Sequence, residues 1–199
     1  MMALVHQYHP EWPYLCYDDS TPLDYVNTSF ISKGDIHTVQ NAYSNTTDCP
    51  WGEVHKGFDF YFKDNERVYF AAPGFVKKIQ LIDHGRDPDR YALNITARFN
   101  ENISLEYIFE IWSSDINDYN NQLSKISIEE GNWYMMGWPL GDFHQVSLSS
   151  HVHFAIRENG DYPPLDKYYG SAAYEIMMNL IHEYNPSWNY LCYIGQSWS

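Results

Sequence analysis

Tyr91-Ala92-Leu93-Asn94-Ile95-Thr96-Ala97-Arg98-Phe99, the turn Asn100-Glu101-Asn102, and Leu105-Glu106-Tyr107-Ile108-Phe109-Glu110-Ile111-Trp112 are the stretch on which the fold turns. Both runs are dominated by β-branched and aromatic residues, which suit a pleated, half-buried surface, and a polar triplet interrupts them as a hairpin turn would. Working outward, Phe58–Phe62, Val68–Ala72, Phe75–Ile82 and His151–Ile156 have the same character, and Pro73-Gly74, His84-Gly85 and Asn159-Gly160 supply turns between runs. Several short strands separated by tight turns predict a mainly β fold, a two-sheet sandwich or partly open barrel. One helix is expected, Tyr168–Ile181, after the break at Pro163-Pro164, with Ala172, Ile176, Met177 and Leu180 at helical spacing. Its simplest role is to cap the sheet at the C-terminal end.

The chain has 199 residues, enough for one domain with a substantial core. Charged residues are 19% against 44% hydrophobic, which excludes a disordered acidic polypeptide. Lys and Arg number 12 against 26 Asp and Glu, a net charge of -14, so a sequence-independent nucleic-acid binder is excluded for want of clustered cations. Aromatic residues reach 18%, favouring strands and surfaces that contact sugars or peptides. No apolar run approaches the ~18 residues of a membrane span. The start, Met1 to His6, is too short and too soon polar to read as a signal peptide. Asn-x-Ser/Thr triplets at Asn27, Asn45, Asn94 and Asn102 lean weakly toward an exported protein.

The two ends resemble each other. His6-Gln-Tyr-His-Pro-Glu-Trp-Pro-Tyr-Leu-Cys-Tyr17 aligns without gaps to His182-Glu-Tyr-Asn-Pro-Ser-Trp-Asn-Tyr-Leu-Cys-Tyr193, with eight of twelve positions identical. Two copies at opposite termini are a duplicated terminal element, and no solenoid period exists. The organisation expected is an N-terminal extension over 1–50, a central β domain over 51–160, and a C-terminal helix with the second repeat over 161–199. Cys16 and Cys192 occupy equivalent repeat positions; a bond between them would close almost the whole chain and be worth about 4 to 5 kcal/mol, while two reduced, buried thiols are the alternative. With Cys49 the cysteines show no Cys-x-x-Cys spacing, which excludes a structural zinc finger.

Two histidine clusters carry candidate chemistry. His55-Lys-Gly-Phe-Asp59 leads into a strand-like run, and positions i and i+4 of an extended segment share a face, with Gly57 permitting a local bend. In His151-Val152-His153-Phe154, strand alternation puts both imidazoles on one face and Val152 and Phe154 on the other. A catalytic zinc takes three N/O protein ligands and a water, a set that His55, Asp59 and one of His151 or His153 completes. The remaining imidazole is then left for proton transfer. Each cluster alone is also what a surface strand or a packed histidine would show.

In order along the chain, His55-Lys-Gly-Phe-Asp59, Ala71-Ala-Pro-Gly-Phe-Val76, the Gly-spaced loop Glu130 to Gly141 and His151-Val-His153-Phe154 resemble the lysostaphin-type (LytM-like) zinc metallopeptidases over about half the chain. The resemblance implies a duplicated-hybrid-motif-like β fold with a groove, one Zn2+ per chain, and hydrolysis of peptide bonds, notably in bacterial cell-wall peptides. It implies His55, Asp59 and His153 as metal ligands and His151 as the catalytic imidazole. It also implies a peptide or cell-wall peptide as partner and an extracellular or cell-surface location. One departure stands out. Members carry a further His on a middle strand, whereas Tyr107-Ile-Phe-Glu-Ile-Trp112 has none and aligns Glu110 near that place. A carboxylate there could serve as general base toward bound water, or could be a solvated strand residue in a weakened site. The competing function is a non-catalytic peptide- or glycan-binding or regulatory module on the same fold, with the aromatic ends as recognition surface. A phosphocarrier with paired histidines leaves Asp59 without a role. His6, His9, His37, His84, His144 and His182 read as surface or packing residues, and Gly131, Gly137 and Gly141 lack the strand-to-helix switch of a phosphate loop.

Overall fold

The structure, a computed structural model, describes residues 38–40, 57–83, 90–163 and Tyr168. The expected terminal repeats, Cys16, Cys49, Cys192, His55 and all of the expected C-terminal helix after Tyr168 lie outside the described residues. Tyr168 itself is helical and buried in the core.

Nine strands are described: β1 (Thr38–Gln40), β2 (Phe58–Tyr61), β3 (Arg67–Tyr69), β4 (Gly74–Asp83), β5 (Tyr91–Arg98), β6 (Ile103–Ser113), β7 (Trp133–Tyr134), β8 (Pro139–Asp142) and β9 (His151–Glu158). Seven form one antiparallel sheet in the order β1-β2-β9-β6-β5-β4-β7, and β3 pairs with β8 in a second, two-stranded sheet. The mainly β, two-sheet expectation therefore holds. The hairpin expected at the opening stretch is the β5–β6 pair, with Ile95 opposite Tyr107. Its turn is tied by the Asn100 side chain, whose Oδ1 accepts from the Asn102 and Ile103 amides at 2.9 and 2.8 Å.

A helix absent from the sequence expectations, α1 (Ile116–Ser124), follows β6. Its Asn-rich composition has weak helix propensity, which hides it, but the Asp115 carboxylate caps its start by accepting from the Asn117 amide at 2.9 Å. Tyr119 and Gln122 face inward, and Gln122 bridges to the next segment by donating to the Asp142 carbonyl and accepting from the His144 amide.

The core lies against one face of the large sheet, where Val152 and Phe154 of β9 meet Tyr107 and Phe109 of β6 and the aromatic side chains Phe62, Phe70 and Phe143. Tyr107 and Phe154 rings are 4.9 Å apart. The Tyr107 hydroxyl accepts from the buried Ala71 amide at 2.9 Å, anchoring the Ala71–Gly74 turn beneath the sheet, and burial pushes its pKa upward. The Gly-spaced loop is stitched to that turn region: Gly137 donates to the Phe70 carbonyl, Phe70 to Trp138, and Val76 to Asn132. Gly131 and Gly137 have φ of 84° and 77°, left-handed values that explain glycine at both positions. Asn94, one of the Asn-x-Ser/Thr triplets, sits inside β5 with 6% exposure, so that triplet carries no weight toward export.

Candidate functional site

Opposite residues of an antiparallel pair share a face, so register alone assembles the site. Asp59 lies opposite His153 across β2–β9, and His151 lies opposite Glu110 across β9–β6. The chemistry-bearing residues therefore occupy the face of the sheet that the aromatic core leaves. Four of the five sequence candidates converge there; the fifth, His55, lies outside the described residues.

His153 Nδ1 is 2.9 Å from Asp59 Oδ1, and the two residues are 9% and 4% exposed. Nδ1–H donates to the carboxylate; once that proton leaves, a nitrogen and an oxygen lone pair face one another across a gap close to the ~3.3 Å that separates two ligands of a tetrahedral zinc with ~2.0 to 2.1 Å bonds. The donor chemistry and spacing fit a zinc ion. No three His, Cys, Asp or Glu side chains group for a metal among the described residues, and His55, the further ligand that the family resemblance implies, lies outside them.

Gly57 explains the spacing of the first motif. A Cβ there would lie 2.6 Å from His153 Nε2 and 2.7 Å from Cε1, and against the Phe154 carbonyl oxygen. The imidazole of His153 uses the space that any larger residue would fill.

His151, 5% exposed, is held at both ends. Its Nδ1 lies 2.8 Å from the Ser149 carbonyl oxygen, which can only accept, so Nδ1 carries a proton. Nε2 then points at two carboxylates, Glu110 Oε2 at 3.5 Å and Asp59 Oδ1 at 3.6 Å. Glu110 thus faces the imidazole, with its side chain 24% exposed. Tyr61, two residues after Asp59 on the same face, packs its ring 5.1 Å from His151. Desolvation first, then the Asp59 and Glu110 charges, raise its pKa, so the phenol stays protonated.

Beyond Glu110, β6 breaks register. Tyr91 pairs with Ser113 and Ala92 with Glu110, leaving Ile111 and Trp112 as a bulge. Trp112 has φ of 58°, a conformation that costs a bulky residue about 1 to 3 kcal/mol. It is 37% exposed, its ring 6.3 Å from His151, and the Arg90 guanidinium stacks 3.7 Å over it. Sequence reasoning missed Tyr61, which alternation from Asp59 could have found, and missed Trp112 and Arg90, for which no sequence signal exists.

His144, expected as a loop or packing residue, sits between Asp64 at 3.6 Å and Asp118 at 3.5 Å and ties α1 to the segment leading into β9. Asp64 also takes Lys125 Nζ at 3.2 Å and the Gln145 amide at 3.1 Å.

No protein-family model matches the sequence, and no curated protein matches it significantly. Among solved structures, lysostaphin is 15% identical, covering 68% of this chain and 48% of its own, at a TM-score of 0.47. The catalytic domain of the prophage-encoded protein EnpA from Enterococcus faecalis, as a point mutant, is 20% identical, covering 67% of this chain and 92% of that one, at 0.47. A zinc-containing peptidase from Vibrio cholerae is 15% identical over 69% of this chain and 38% of its own, at 0.49. The chain resembles lysostaphin-type peptidases. That similarity is distant and concerns the fold, and the chain spans about half the length of lysostaphin. No helix among the described residues is long and apolar enough to cross a membrane.

Proposed function

We propose that this chain is a zinc-dependent endopeptidase that hydrolyses peptide bonds in a cell-wall or cell-surface peptide, and that it works outside the cell or at its surface. The observation that supports this most directly is the convergence of His153 Nδ1 and Asp59 Oδ1 beside the His151–Glu110 pair. His55, Asp59 and His153 would hold the ion. When bound, zinc polarises a scissile carbonyl and lowers the pKa of a water.

The chain's own residues account for proton handling. With Nδ1–H committed to the Ser149 carbonyl, His151 exchanges protons only through Nε2, which lies 3.5 Å from Glu110 Oε2. Glu110 aligns near the place that the family resemblance assigns to an imidazole, so the proposed dyad pairs a carboxylate with a histidine. In this arrangement Glu110 takes a proton from the attacking water and His151 supplies one to the leaving amine, the two being close enough to pass it between them. Tyr61, protonated beside the same imidazole, fixes its ring and keeps water from one side. Their burial strengthens each of these interactions relative to bulk water.

The test is metal content with peptide hydrolysis. One zinc per chain and cleavage of cell-wall peptide fragments are expected. His153→Ala should lose the metal, while Glu110→Gln should keep it and lose about 10² to 10⁴ in turnover. A zinc-loaded protein that binds peptide and never cleaves it would return the chain to the non-catalytic module.

A further inference from the structure

We propose that Arg90, stacked on Trp112, is a carboxylate-binding subsite at the rim of the site, which fixes the direction in which a peptide lies across it. This deepens the peptidase reading and rests on it for the identity of the ligand as a peptide.

The bulge at Ile111 and Trp112 turns an indole out of the strand beside the catalytic imidazole, in a backbone conformation that a Trp does not adopt unaided. Bulges of this kind re-aim side chains next to functional sites. The indole is half-exposed and covers one face of the Arg90 guanidinium at 3.7 Å. Stacking uses the flat face of the guanidinium and leaves its edge of N–H donors, the fork that matches a carboxylate in two parallel hydrogen bonds. Among the described residues no carboxylate or carbonyl takes that edge.

Charge orients the ligand. Asp59 and Glu110 lie 3.6 and 3.5 Å from His151 Nε2 and repel an anion, whereas Arg90, stacked on the indole, attracts one. A peptide bearing a carboxylate therefore lies with that group toward Arg90. The carboxylate can come from a peptide C-terminus or from an acidic side chain.

The experiment uses the full chain with ¹⁵N-labelled indoles, the Trp112 resonance being assigned with Trp112→Phe. Four N-blocked tripeptides are titrated: triglycine with a free C-terminal carboxylate, the same peptide amidated, and amidated peptides with a central glutamate or a central glutamine. Carboxylate-bearing peptides should shift the Trp112 resonance and bind about tenfold more tightly than their neutral twins, a difference that 1.4 kcal/mol produces. Preference for the free terminus alone, or for the glutamate peptide, identifies the source. Arg90→Gln should abolish the discrimination and leave the amidated triglycine unaffected, with Arg90→Lys keeping part of it. Equal affinity for charged and neutral twins in the wild type, or discrimination that survives Arg90→Gln, overturns the proposal. Discrimination without cleavage would sink the peptidase reading and leave the subsite standing; cleavage without discrimination would do the reverse.

Discussion

Gly57→Ala is the sharpest probe of the assembled site. The added Cβ would sit 2.6 Å from His153 Nε2, 2.7 Å from Cε1, and against the Phe154 carbonyl. Comfortable carbon–nitrogen contact needs roughly 3.5 Å, so about 0.9 Å must be found by moving something. The carbonyl belongs to β9, whose neighbours β2 and β6 hold it in register on both sides, and cannot give. The ring must swing, or β2 must draw back; either opens the 2.9 Å contact between His153 and Asp59 beyond hydrogen-bonding range. Overpacking of this kind costs about 1 to 3 kcal/mol, and displacing a metal ligand's support about 10- to 100-fold in affinity. Urea unfolding gives the first number and zinc competition against a chromophoric chelator the second. Gly160→Ala is the control: φ is 87° and nothing lies within 4 Å of a Cβ there, so it should cost about 1 kcal/mol and leave zinc affinity intact. A Gly57→Ala protein as stable as wild type with unaltered zinc affinity would refute the steric reasoning, as would equal zinc loss in both variants.

Tyr107→Phe removes the acceptor for the buried Ala71 amide and should destabilise by about 1 to 3 kcal/mol in urea unfolding, with the fold retained. Tyr61 has a raised pKa in the folded protein, so its contribution to stability is complete below the unfolded value of ~10 and is lost as pH climbs above it; unfolding curves from pH 9 to 11 should slope downward, and Tyr61→Phe should flatten part of that slope. At Asp64 desolvation, the largest single influence, raises the pKa, but the Gln145 amide and Lys125 hydrogen bonds with the Lys125 and His144 charges together outweigh it, so the folded value is lowered. Its contribution is present above the unfolded value of ~3.9 and is lost as pH falls through the folded one; Asp64→Asn should remove that acid-side loss and cost under about 1 kcal/mol at pH 7, because the carboxylate is half-exposed.

Much of this was legible because strands advertise themselves. The runs around Leu93, Tyr107 and Val152 alternate or cluster as sheet positions do, and His151 and His153 had to share a face whatever strand they joined. What sequence could not supply was the partner across each ladder. That His151 meets Glu110, and His153 meets Asp59, follows from β9 inserting between β2 and β6, an order set by packing across the whole sheet. Local composition also misled: α1 is built from asparagines that prefer turns, and its cap at Asp115 becomes recognisable only with the Asn117 amide in place. The Trp112 bulge carries no glycine to announce its positive φ. The Asn94 triplet looked like a surface feature and is an interior strand residue.

The 94-residue separation between Asp59 and His153 has a consequence for folding. β4, β5 and β6 follow one another in both sequence and sheet, whereas pairing β2 with β9 closes a long loop, at a larger entropic cost. The two donors are strangers in any partly folded chain. A zinc ion held by both, as proposed, would recognise only the closed sheet, and its binding energy would add to the stability of that pairing. Metal uptake followed in time during refolding would be a clock for sheet closure.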